Sequence, residues 1–130
     1  MCDNYFMLGK LTYNQQYIDR AIRCLNEMEA DMVQYPSAYF HWWNVYQKAA
    51  NTFYEVVLVG EYAEQNSLEL MKEFQPNKLL AWSESEKLEP EILNGKAIVE
   101  SALTFYVCKQ NVCLKPSTQI HEVIEQIKAQ

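Results

Sequence analysis

The sequence predicts a mixed α and β fold: N-terminal antiparallel helices packed on a small C-terminal α/β unit with a three- to four-stranded mixed sheet. Three observations carry this. Apolar residues recur at helical spacing through most of the first fifty positions. The run Glu55-Val56-Val57-Leu58-Val59-Gly60 then breaks that period and opens a strand–helix–strand pattern. The charge balance also changes there: residues 1–54 hold five acids and four bases, residues 55–130 twelve and seven. The expected division is therefore a helical segment, 1–54, and an acidic α/β segment, 55–130.

Residues 2–12 read as a helix with Tyr5, Leu8 and Thr12 on one line and Phe6 and Leu11 nearby. A helix that begins so close to the first residue suggests a piece of something longer. Tyr13-Asn14 is a short connection, which implies an antiparallel helical hairpin. Asn14 is placed to cap residues 14–34, where Tyr17, Ala21, Leu25, Met28 and Met32 form one apolar stripe. Pro36 and Ser37 open a third helix over 37–50. Tyr39, Phe40, Trp42, Trp43, Val45 and Tyr46 cover nearly every direction around it, so it is either buried between layers or lies at an interface.

The β-branched run at 55–60 reads as a strand buried on both faces, with Gly60 turning the chain at its end. Residues 65–74 form a helix through Leu68, Leu70, Met71 and Phe74, Pro76-Asn77 a turn, and 78–82 a second strand parallel to the first. Charge, Pro90 and Asn94-Gly95 make 83–96 a surface loop with room for one helical turn. Residues 103–108 are a third strand, Lys109 to Val112 a hairpin turn, and Cys113-Leu114 a short return strand. Ser117 or Thr118 caps a final helix with Ile120, Val123, Ile124 and Ile127 on one face.

Composition limits the function classes. A formal net charge of −6 argues against a nucleic-acid partner, whose phosphates demand clustered Lys and Arg. No run of about 20 apolar residues is present to span a membrane. Four cysteines are too few for a secreted disulfide scaffold, so the expected compartment is cytoplasmic.

The candidate chemistry is sparse. If Gln110-Asn111 is a two-residue turn, Cys108 lies directly opposite Cys113 in a non-hydrogen-bonded pair, with α-carbons about 4.5 Å apart. That is the short end of what a disulfide tolerates, so the pair is either a strained, reducible disulfide or two buried structural thiols packed side by side. With His121 the two cysteines offer only three zinc ligands at an unfamiliar spacing, and no metal or cofactor is expected. Gly60 alone, followed by Glu61, lacks the glycines and the charge of a phosphate site. His41, Trp42 and Trp43 form an aromatic group that serves either as core or interface, or as a wall for a sugar ring.

The order of several short motifs resembles the C-terminal end of the thioredoxin-domain-containing proteins related to bacterial YyaL and animal spermatogenesis-associated protein twenty. The matching pieces are Leu8-Gly9 with Asn14-Gln15-Gln16-Tyr17 and Ala21, then Tyr35-Pro36-Ser37-Ala38, then the strand Glu55–Gly60. Phe74-Gln75-Pro76-Asn77-Lys78 follows, and last come Tyr106-Val107-Cys108, Cys113 and Pro116-Ser117-Thr118. The resemblance implies that 1–50 are the last helices of an α/α barrel similar to six-hairpin glycosidases and N-acylglucosamine 2-epimerases, and that 55–130 form a terminal α/β segment. The family's thioredoxin Cys-x-x-Cys is absent here. The expected role is a non-catalytic structural or interaction module, with the rest of a parent barrel or a second copy as partner. The alternatives are a contribution to carbohydrate processing through His41, Trp42 and Trp43, or a thiol redox accessory using Cys108 and Cys113.

Overall fold

The computed structural model describes residues 1–128. The chain divides into two compact units, Met1–Thr52 and Phe53–Gln130.

The first unit is helical: α1 (Cys2–Thr12), α2 (Gln15–Gln34) and α3 (Phe40–Ala50). Tyr13 takes a left-handed conformation that ends α1, and the Asn14 side chain accepts from the Gln16 amide at 3.0 Å, starting α2. The two helices run antiparallel. Cys2 Sγ donates to the Ala21 carbonyl at 3.3 Å, the Tyr5 and Tyr17 rings stack at 6.3 Å, and Gly9 faces Ile18. A Cβ on Gly9 would lie 2.6 Å from Ile18 Cδ1 and 3.0 Å from the Ile18 backbone nitrogen, so glycine permits this approach. The buried line of α1 is consequently Cys2, Phe6 and Gly9, not Tyr5, Leu8 and Thr12; Leu8 is exposed. Along α2 the expected stripe buries Ala21, Leu25 and Met32, with Tyr17 and Met28 half-buried. Lys48 of α3 pairs with Asp3 of α1 at 2.9 Å.

The third helix starts later than expected. Residues 36–39 form turns instead, with the Ala38 amide donating to Tyr35 O and the Tyr39 amide to Pro36 O. It is not buried between layers either. Only Val45 is fully enclosed, whereas Phe40 is 67% and Tyr46 46% exposed.

The second unit is a four-stranded mixed sheet in the order β2-β1-β3-β4, made of β1 (Tyr54–Val59), β2 (Lys78–Ser83), β3 (Thr104–Lys109) and β4 (Val112–Cys113). Strand β1 runs parallel to β2 and antiparallel to β3, and every residue of it is buried. This is the continuous apolar signature expected of a central strand. Gly60 has φ 128°, and a Cβ there would lie 3.1 Å from Leu103 Cα, so the strand can end sharply only with glycine.

On one face of the sheet, Tyr54, Val56, Leu58, Phe105 and Val107 meet Ala63 and Leu70 of α4 (Ala63–Lys72) and Val123 and Ile127 of α5 (Ile120–Lys128). The α5 face is as the sequence predicts, and the Ser117 hydroxyl accepts from the Gln119 amide just ahead of it. Helix α4 differs. It begins two residues early and turns Ala63, Ser67 and Leu70 inward, leaving Leu68, Met71 and Phe74 exposed, Phe74 by 91%. Small residues at one-turn spacing let the helix sit close to the sheet, which outweighs the larger apolar side chains beside them.

The opposite face carries Glu55, Val57 and Val59 of β1 against Cys108, Tyr106 and Thr104 of β3. The loop after β2 packs here. Its one 3₁₀ turn, Glu91–Leu93, buries Ile92 and Leu93, so this segment is not wholly a solvated loop. Tyr106 Oη donates to Ala97 O at 2.8 Å, and the Val99 amide donates to Thr104 Oγ1 at 2.9 Å.

Candidate functional site

The hairpin of β3 and β4 positions the two cysteines. Gln110 and Asn111 both have positive φ, 50° and 64°, as a two-residue type I′ turn requires. Lys109 then faces Val112, Cys108 faces Cys113, and the Leu114 amide donates to Val107 O at 2.8 Å. The bonded positions on either side make Cys108–Cys113 a non-hydrogen-bonded pair. The two sulfurs are joined as a disulfide, with α-carbons 3.8 Å apart.

The surroundings of the two sulfurs are unequal. Cys108 is fully buried within β3, whereas Cys113 is half-buried on the edge strand β4. Glu55 of β1 lies directly across from Cys108 on its other side and is itself fully buried. The register therefore sets Glu55, Cys108 and Cys113 in a row across three strands, on one face of the sheet. Lys96 contributes the nearby positive charge. Burial pulls its ammonium below the usual 10.5, and the attraction of Glu55 and Glu91 partly restores it. Its Nζ lies 5.8 Å from the centre of the Tyr106 ring.

As a staple this disulfide is weak. It spans a sequence separation of five, and chain entropy assigns a loop of that size about 2 kcal/mol, against about 3 kcal/mol for a fifteen-residue loop. The I′ turn already holds the two strands together, which reduces the gain further.

The aromatic group is arranged differently. His41 is exposed, and Trp42 and Trp43 are half-buried. Successive helical positions lie about 100° apart, so the three side chains fan around α3 instead of forming one wall. Trp43 meets Tyr46 edge to face at 5.6 Å, and its Nε1 is buried without a hydrogen-bond partner. His121 is exposed on α5, and among the described residues no three His, Cys, Asp or Glu side chains come together as a metal site. Cys2 and Cys24 are free thiols in the helical unit.

The opposition of the two cysteines follows from the sequence once the two-residue turn is recognised. Glu55 and Lys96 belong to no motif that marks them as site residues in the sequence. The signal for Glu55 is the alternation within its strand, which puts position 55 on the same face as Val57 and Val59. Compared with models of known protein families, with curated proteins and with solved structures, the chain matches none of them. No helix among the described residues is long and apolar enough to cross a membrane.

Proposed function

We propose that this chain is a non-catalytic, cytoplasmic interaction module. On this reading it completes the barrel of a larger protein of the thioredoxin-domain-containing, six-hairpin glycosidase-like kind, and it self-associates when that partner is missing. One observation carries the proposal: α3, rich in aromatic residues, leaves Phe40 and Tyr46 exposed, with Tyr35 exposed in the turn before it. Large aromatics left exposed mark contact surfaces, because such side chains supply large apolar area at low conformational cost. A second copy of the chain is the simplest partner, joined about a twofold axis.

The test is the mass of the chain in solution by light scattering, beside that of Phe40→Ser and Tyr46→Ser. The expected result is a dimer that both substitutions convert to monomer without loss of helical circular dichroism. A wild-type monomer at high concentration, or a dimer indifferent to both substitutions, overturns the reading.

A further inference from the structure

We propose that Cys108–Cys113 is a one-sided thiol-exchange site, which accepts a low-molecular-weight thiol as a mixed disulfide on Cys113 and releases Cys108. The inference is independent of the interaction reading and rests on the row Glu55–Cys108–Cys113. A thiolate attacks a disulfide in line with the sulfur–sulfur bond, from the side opposite the leaving sulfur. For attack on Cys113 that direction lies beyond β4, the edge of the sheet, where Cys113 itself is only half-buried. For attack on Cys108 it lies over β1, where the fully buried Glu55 side chain and the strand itself block the approach. The unequal burial of the two sulfurs therefore selects Cys113.

The exchange balances as follows. The attacking thiolate forms a new sulfur–sulfur bond to Cys113 as the Cys108–Cys113 bond breaks. Its electron pair leaves on Cys108, which takes a proton from water. A second equivalent of thiol attacking the adduct releases the small-molecule disulfide and leaves both cysteines as thiols. The loss of a weak staple leaves β4 attached by its few ladder bonds, so the modification acts on an edge strand and spares the buried β1–β3 pairing.

The experiment exposes the full chain under native conditions to reduced glutathione, quenches with acid, and maps adducts by mass after tryptic digestion. Cleavage after Lys109 puts Cys108 and Cys113 in different peptides. The expected result is glutathione on Cys113 in at least about tenfold excess over Cys108, as the unequal access to the two sulfurs requires. Three results overturn the proposal: equal labelling or an excess on Cys108; no adduct under native conditions although one forms in urea; or isolation of the chain with Cys108 and Cys113 as free thiols that take up no oxidised glutathione.

Discussion

The Lys78 ammonium, at the start of β2, donates to the Leu70 carbonyl at 2.6 Å and to the Glu73 carbonyl at the same distance. A cation thus closes the C-terminal end of α4, where the helix dipole leaves partial negative charge on the last carbonyls; the Leu70 carbonyl also accepts from the Glu73 amide at 3.3 Å.

Replacing Lys78 with Met keeps the aliphatic stem and removes both bonds. Urea unfolding is expected to show a loss of about 1–2 kcal/mol. Burial also lowers the Lys78 pKa from the usual 10.5, with Glu73 pulling it partly back. Between that lowered value and 10.5 the unfolded chain binds more protons than the folded one, so stability from this group rises with pH across that window. The wild type should gain on the Met variant there.

Gly9→Ala sets two effects against each other. Alanine favours the helix by about 1 kcal/mol, but its Cβ would meet Ile18 at 2.6 Å and the backbone nitrogen at 3.0 Å. The side chain can yield, whereas the backbone cannot without moving α2. Overpacking of this kind costs about 1–3 kcal/mol, so the net expectation is a destabilised hairpin with a lower Tm. A stabilised variant would mean that the two helices can separate freely.

Neighbouring positions on α4 should differ sharply. Leu70→Ala removes a fully buried side chain from the main core and is expected to cost about 2–5 kcal/mol. Met71→Ala, one residue on but exposed, should change stability by no more than about 0.5 kcal/mol. Chemical denaturation of the two variants side by side reads the orientation of the helix directly.

Cys2 is expected to resist alkylation longer than Cys24. Burial, then the neighbouring Cys24, raises its thiol pKa above the usual 9.0, and its sulfur donates to Ala21 O. Timed labelling with iodoacetamide under native conditions checks the order. Because the folded state holds this proton after the unfolded state has lost it, the stability it supplies falls as pH rises above 9.0. Cys2→Ala should flatten that part of the stability profile.

Local rules account for the parts of the fold that are legible in the sequence. The Asn14 cap, the two-residue turn at Gln110-Asn111, the buried run of β1 and the apolar face of α5 each depend on residues close together in the chain. The inward faces of α1 and α4 do not. Helical spacing counts large apolar side chains, yet the lines that face inward are Cys2–Phe6–Gly9 and Ala63–Ser67–Leu70, chosen by how closely a neighbour approaches. The site divides in the same way. The meeting of Cys108 and Cys113 follows from the turn, whereas the placement of Glu55 beside them depends on pairing between strands some fifty residues apart. A charge at the head of a strand gives little sign that it will be enclosed.

The sheet order has a consequence for synthesis on the ribosome. Strand β1 acquires β2 soon after it is made, but its other partner, β3, is complete only at Lys109. At about 5–20 residues per second, the interval between Val59 and Lys109 lasts roughly 2.5–10 s. During that time the most apolar strand of the chain presents an open edge able to pair with other nascent chains. A ribosome pause within the charged segment 84–91 would lengthen that exposure, so the yield of folded protein should depend on translation speed there.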